Sequence, residues 1–486
     1  MEGEIKENCG LCVSHTLHDA YSMTKSSLQH RGREAAGIAA VSDDRIDVLK
    51  WKGTVDSLDI TDLHKIFPGH NYHTYLAHVR YATRGRKDKI LEDAHPHTIG
   101  GKVESRGNHI LILDCEAAII HNGQIDSRYL KEVDKNLLKT ECDTEAFLHY
   151  FRNKGEIEIL KNIPGAYTAV IADKRKKGVV VIRDRGGIKP GCLFWKDDRY
   201  GIASEDIAPR KNRGIFIEDL LPGAAYYLYP DSKQPMPVKV VEPNLSYCFF
   251  EWNYIGDVDS IINGVSVRRV REELGKEVAE EFRFDADWIS YVPRCPEVAA
   301  RSCAKAKGMD DRFIPIFYKR RGERSFLGST IEDREDSINQ NLYLIPEIEE
   351  KLEGSTILII DDSFVRGNVL KKIYMLIKNV RAKKVYVVSY TPPIGIIGDD
   401  GIKRGCSCGV DMPPDDNFLI RDKTGEKNRN LEEISKDYGN KIQVAYLSLE
   451  GMFRAYERAG MPRENLESFC IGGKNSFCNS SCDSNK

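Results

Sequence analysis

The chain has no long apolar run, no marked excess of either charge and no internal repeat. A membrane-spanning helix needs roughly 20 consecutive apolar residues, and no segment approaches that, so no membrane partner is expected. A net charge of −2, from 72 Lys and Arg against 74 Asp and Glu, gives no bulk electrostatic reason to bind nucleic acid. Any phosphate must then be recognised locally. Residues 1–8 are polar and acidic and lack the apolar centre of an export signal. They read as a short propeptide, and the localisation expected is cytoplasmic. What remains is ordinary in amount: 486 residues, 41% hydrophobic and 30% charged, enough for two or three domains with substantial cores.

Short alternating segments such as 74–82 and 179–184, set off by glycine turns, predict a β-rich first half with few long helices. One early helix is marked by Leu17, Ala20, Tyr21 and Leu28, before a break at Arg31-Gly32. Near residue 230 the character changes. Residues 229–244 carry several prolines in a polar context and read as a connector. Beyond it, longer helical patterns alternate with short apolar strands, the mark of a parallel α/β sheet. The expected division is a propeptide at 1–8, a first domain at 9–235, a second at 245–460, and a C-terminal segment with a loose tail at 461–486.

Cys9 followed by Gly10 is the first chemical signal. One cut before Cys9 would give it a free α-amine, which titrates near pH ~8 and can take the thiol proton, so nucleophile and base would share one residue. Arg80 can form a two-pronged bond to a carboxylate, which a lysine cannot. Asp143 can hold an ammonium group. Asn122 and Gly123 read as a tight turn, where a side-chain amide and a backbone N–H can aim together at a developing oxyanion. Each has a bland alternative: a surface charge, a helix cap, a plain turn.

In combination these segments resemble the glutamine amidotransferases of the N-terminal nucleophile class, over residues 9 to about 230. The carriers are Cys9-Gly10, then QHRGREAAGI at 29–38, HVRYAT at 78–83, HNGQID at 121–126, TECDTE at 140–145 and GAYTAV at 165–170. The resemblance implies that Cys9 attacks the glutamine amide, that Asn122 and Gly123 stabilise the intermediate, and that Arg80 and Asp143 grip the α-carboxylate and α-amine. Ammonia is the useful product.

In the second half, the β-branched strand at 356–360 runs into DDSFVRGN, and Val369, Ile373, Leu376, Ile377 and Val380 mark a helix face before a strand at 385–389. A strand, an acidic glycine-bearing loop and a helix N-terminus form a natural cradle for a phosphorylated sugar. Asp361 and Asp362 would face ribose hydroxyls or a magnesium ion. The segment ILIIDDSFVRGN resembles the phosphoribosyl pyrophosphate motif of type I phosphoribosyltransferases, and residues 9 to about 474 resemble the amidophosphoribosyltransferase family. Further carriers are 248–275, RSFL at 324–327, TPPIG at 391–395, CGVDMP at 408–413 and YLSLEGM at 446–452.

That resemblance implies an α+β N-terminal-nucleophile (αββα) glutaminase domain joined to an α/β type I phosphoribosyltransferase domain. It implies glutamine and phosphoribosyl pyrophosphate as substrates, with 5-phosphoribosylamine, glutamate and pyrophosphate as products, in the first step of de novo purine synthesis. Arg324, Arg334 and the loop Arg366, Gly367, Asn368 and Val369 would hold phosphoribosyl pyrophosphate. Asp361 and Asp362 would hold Mg2+. Purine nucleotides are implied as inhibitors and a homo-oligomer as the assembly.

The acceptor half departs from the family pattern. Arg294 and Cys295 follow Val292-Pro293 where a hydroxyl would reach magnesium, and a thiol is a poor ligand for a hard cation. Asn368 and Val369 replace two hydroxyl donors of the phosphate loop, and Asn339 and Asn341 stand where cations are expected. These departures keep two alternatives in view: a paralogue that delivers ammonia to another acceptor, and a nucleotide-sensing regulatory protein. Cysteines divide likewise. Cys12, Cys115, Cys142, Cys192 and Cys303 read as reduced structural thiols. Cys248, Cys406 and Cys470 match three positions of the four-iron [4Fe-4S] cluster found in one branch of the family. Glu467 occupies the fourth position, so a cluster would need Cys408, Cys478 or Cys482.

Overall fold

A computed structural model describes the chain except residues 1–8, 68, 81–88, 126, 232, 284, 320–341, 407, 410–411, 440 and 476–486. Arg324, Arg334, Asn339, Asn341, Cys478, Cys482 and the leader therefore lie outside the described residues.

Hydrogen bonding joins 13 strands into the sheet of the first domain, the last of them, Val238–Lys239, lying past residue 235 within the expected connector, and the alternation along the strands builds three apolar layers. Along Gly10–Ser14, Leu11 and Val13 point into a central layer that also takes Ala39, Val41, Val170 and Ala172. The intervening Cys12, with Ala36, Ile38 and Ala40, faces the other way onto Leu17, Ala20 and Met23 of the Leu17–Met23 helix. On the opposite side Ala117, Ile119, Ala169 and Ile171 pack against Phe147, Leu148 and Phe151 of the Asp143–Asn162 helix. Successive strand side chains point to opposite faces, so apolar residues at both parities require cover on both faces. The result is helix, sheet, sheet, helix, the αββα order expected.

The early helix is capped by the Thr16 hydroxyl, which accepts the Asp19 N–H at 3.0 Å. It ends at Met23 and continues as a wider turn, Thr24–Leu28, and a tight one, Gln29–Arg31. Few long helices were expected here, and the 20-residue Asp143–Asn162 is itself interrupted at Gly155 (φ 81°).

The second domain holds a four-stranded parallel sheet in the order Trp288–Tyr291, Thr356–Asp361, Lys384–Ser389, Ile442–Tyr446. Its strands are buried on both faces, as crossover helices demand. The helix expected after the acidic loop runs Asn368–Ile377 and buries Leu370, Ile373 and Ile377. The apolar core of this domain reaches across to Ala166 and Ile188 of the first.

Candidate active site

Cys9 is fully buried at the root of the Gly10–Ser14 strand. Gly10 lies opposite Val79 in the antiparallel pairing, which sets Arg80, last residue of Thr74–Arg80, alongside Cys9. The Cys9 nitrogen donates to Asn122 Oδ1 at 3.3 Å, and the Cys9 carbonyl accepts from Arg31 Nε at 2.9 Å. Asn122 is itself fully buried, and its Nδ2 has no hydrogen-bond partner among the described residues. A buried amide donor left unsatisfied costs about 1–3 kcal/mol, which marks the place where an acceptor belongs.

The turn expected at Asn122-Gly123 is not a turn. Both residues continue the long strand His109–Ile125, with Asn122 opposite Thr168 and Gly123 opposite Tyr167. The alternating residues Ala117 to Ile120 carry the ladder through the site. Glycine is needed because φ is +137° and a Cβ would come within 1.7 Å of the Ala166 carbonyl oxygen. At the end of that strand, Asp143 Oδ2 accepts the Ile125 N–H at 2.7 Å, so the carboxylate that begins the Asp143–Asn162 helix is tied to the same strand. Arg80 is buried, with Nη2 3.8 Å from Asp93 Oδ2. Cys9, Asn122, Gly123, Arg80 and Asp143 therefore meet on neighbouring elements.

A buried ionic network joins this group to the second domain. Arg31 Nη1 bonds Glu205 Oε1 at 2.5 Å and Arg31 Nη2 bonds Glu251 Oε2 at 2.8 Å, while Lys189 Nζ reaches Glu251 Oε1 at 3.2 Å. Glu205 Oε2 accepts the Ser260 hydroxyl at 2.5 Å and the Asp257 N–H at 2.8 Å. Burial alone would lower the Arg31 pKa, but Glu251 and Glu205 outweigh it and raise the value. Burial likewise opposes ionisation of Glu205, and His30 and Arg31 overcome it, holding the carboxylate below its ordinary range. Arg31 and Glu251 each fall within a family-like segment without a role of their own in the sequence, and Glu205 carries no sequence signal.

A cavity of about 600 Å³ opens between the domains, lined by His30 and Arg33 on one side and Arg294, Cys295, Asp361 and Asp362 on the other. Asp361 Oδ1 accepts the Asp362 N–H at 2.9 Å, whereas its Oδ2 is buried without a hydrogen-bond partner among the described residues. Burial and the adjacent Asp362 push the Asp361 pKa well up. Two such carboxyls are a donor set for a hard cation. The Cys295 sulfur is 3.3 Å from the Asn253 carbonyl oxygen. Arg366 is paired with Asp416, Gly367 adopts φ 79° before the helix, and Val369 reaches the cavity wall.

Cys248, Cys406 and Cys470 do gather, and Cys408 and Glu467 join them. Cys248 stands opposite Glu467 where Tyr247–Cys248 and Leu466–Glu467 pair in parallel. The Cys408 N–H donates to the Cys406 sulfur at 3.3 Å. Burial, then Cys406, raises the Glu467 pKa to about 8. Burial first, with Cys406 and Glu467 adding to it, also raises the thiol of Cys248. All four thiols are buried, and Cys406 and Cys248 act electrostatically on both Cys408 and Cys470.

Residues 104–208 match the family model of a glutamine amidotransferase domain. The amidophosphoribosyltransferase of Archaeoglobus fulgidus is 31% identical over 451 residues, covering 90% of each chain. That of Bacillus subtilis is 26% identical, covering 94% of this chain and 92% of its own. Among solved structures, glutamine phosphoribosylpyrophosphate amidotransferase from B. subtilis, complexed with ADP and GMP, shares the fold at a TM-score of 0.76 and 24% identity, over 96% of this chain and 97% of its own.

Proposed function

The chain belongs to the amidophosphoribosyltransferase family, and from that premise we propose a division of labour among its own residues. It is a glutamine-dependent phosphoribosyltransferase of the first step of purine synthesis. Removal of residues 1–8 frees the Cys9 amine, which takes the thiol proton while sulfur attacks the glutamine amide carbon. Asn122 Nδ2 and the Gly123 N–H receive the oxyanion. Arg80 binds the α-carboxylate and Asp143 the α-amine. Collapse of the intermediate expels ammonia, and water then releases glutamate from the sulfur. The observation that carries this assignment is the buried Asn122 Nδ2 beside Cys9, which has no hydrogen-bond partner among the described residues.

Ammonia passes to the interdomain cavity, along a path that must exclude bulk water to keep it unprotonated and nucleophilic. It attacks the anomeric carbon of phosphoribosyl pyrophosphate and pyrophosphate leaves. Asp361 and Asp362 would hold Mg2+, which neutralises the polyanion, and the Arg366–Val369 loop with Arg324 and Arg334 would receive phosphate oxygens. The domains are taken as 9–235 and 245–460, with a C-terminal segment from 461. Cys248, Cys406, Cys408 and Cys470 would hold a four-iron cluster, with Cys408 replacing the ligand that Glu467 does not supply; its contribution there is a cross-link between the start of the second domain and its C-terminal segment. A cytoplasmic location, a homo-oligomeric assembly and inhibition by purine nucleotides complete the reading.

The test is glutamate release from glutamine with and without phosphoribosyl pyrophosphate. The sugar should stimulate it. Unchanged release would point to a different acceptor, and absence of release from the processed chain would sink the glutaminase assignment.

A further inference from the structure

Beneath the glutamine anchors lies a cluster of four packed imidazoles. His78 and His95 stack with centroids 4.1 Å apart, and His97 meets His95 edge-on at 4.9 Å. His121 lies parallel to His95 at 6.4 Å. All four rings are buried. A core that needed only volume would be filled with apolar side chains, because each buried imidazole nitrogen must be desolvated. Here His78 Nδ1 and His121 Nε2 are buried without a hydrogen-bond partner among the described residues. The cluster is therefore polar and underbonded.

One ligand atom each from His95, His97 and Cys142 lies within 4.8 Å of the other two. Their convergence is not a local accident of sequence. His95 and His97 lead into the His97–Arg106 strand, whereas Cys142 caps the Asp143–Asn162 helix. We propose that His95, His97 and Cys142 form a binding site for a zinc-class divalent cation, distinct from Asp361 and Asp362 and from the thiol group around Cys248.

The donor set selects the ion. Two imidazoles and a thiolate suit a borderline-soft cation that accepts three protein ligands and an open fourth position, and they suit Mg2+ poorly. His97 Nε2 donates to the Asp93 carbonyl at 3.2 Å, the outer hydrogen bond that orients a ligating ring and leaves the Nδ1 lone pair inward. His95 Nδ1 accepts the His121 N–H at a long 3.3 Å; coordination through that nitrogen would exchange a weak bond for a metal bond. Lys50 and Arg80 face the same space and oppose a cation, while the Asp93 side chain, 3.8 Å from Arg80 Nη2, is the acidic group beside them. An occupied site would pin Cys142, and with it the adjacent Asp143, to the His95–His97 segment. This site stands whether or not glutamine is the substrate.

The test uses the full chain stripped of metal with a chelator. Cys142 is partly exposed, so iodoacetamide followed by peptide mass mapping reads its occupancy in the unmodified sequence. A few-fold excess of Zn2+ should slow alkylation of Cys142 at least tenfold. Titration with Co2+ should show one more bound equivalent in the wild type than in Cys142→Ser or His97→Gln, with a thiolate charge-transfer band in the difference spectrum. Equal alkylation of Cys142 with and without Zn2+ overturns the proposal. So does equal Co2+ stoichiometry in variants whose circular dichroism matches the wild type.

Discussion

Replacing Asn122 by alanine removes one atom from each side of the proposed reaction. The carbonyl oxygen lost is the acceptor of the Cys9 nitrogen at 3.3 Å, and the amide nitrogen lost is the buried, unpartnered donor. The first loss is a ground-state effect. Taking the acceptor from the buried Cys9 nitrogen costs about 1–3 kcal/mol, so the variant should fold with its thermal transition lowered by several degrees. The second loss falls on the transition state. Removing one oxyanion donor costs about 2.7–4 kcal/mol, or roughly 10²–10³ in kcat. Arg80 and Asp143, the residues proposed to grip the far end of glutamine, are untouched, so KM for glutamine should stay within about threefold. Steady-state glutamate release gives both constants, and ammonia-supported synthesis of phosphoribosylamine serves as an internal control that should be unchanged. Asn122→Asp sharpens the contrast, because it keeps the shape while placing an acceptor where the donor stood. A kcat loss below about tenfold, or a large rise in KM with kcat intact, would refute the oxyanion assignment.

Other expectations follow from the same geometry. Cys9→Ser should abolish use of glutamine while ammonia-driven synthesis survives; loss of both in a folded protein would mean that the two half-reactions do not have separate sites. Gly123→Ala places a Cβ 1.7 Å from a backbone oxygen at φ +137°, so it should lower the unfolding temperature as well as glutaminase activity, measured by calorimetry beside the kinetic assay. Arg31→Met removes the cation that Glu205 and Glu251 share, leaving His30 with the one and Lys189 with the other, and breaking a buried pair costs about 3–5 kcal/mol. Adding Glu205→Gln to Arg31→Met should recover part of that loss in a double-mutant cycle of denaturant midpoints; strict additivity would show that the two side chains are not coupled.

Much of the candidate site is legible in the chain because its residues are flagged locally. Cys9-Gly10, Arg80 at a strand end, and Asp143 at a helix start each sit in short motifs whose neighbours reveal the element. The turn at Asn122-Gly123 was misread for a local reason too: an Asn-Gly pair carries a turn signal, and only the register with Thr168 and Tyr167 shows that the positive φ of Gly123 serves an uninterrupted ladder. What the sequence could not convey is long-range. Arg31 lies 174 residues from Glu205 and 220 from Glu251, and no periodicity links such partners. The same holds for Cys142, which read as an ordinary thiol until the fold set it beside His95 and His97. Cys408 became a fourth thiol only once residues 248, 406 and 470 were brought together.

The knot at Arg31 bears on how freely the two halves could be recombined. A fragment ending in the connector would keep Arg31, Lys189 and Glu205 but surrender Glu251, Ser260 and the Asp257 amide, leaving two cations and one carboxylate in a pocket shaped for neutrality. Grafting this ammonia-producing half onto a foreign acceptor module would thus require a carboxylate delivered to the same spot. The charge balance acts as a compatibility key, admitting new fusion partners only when they carry the matching tooth.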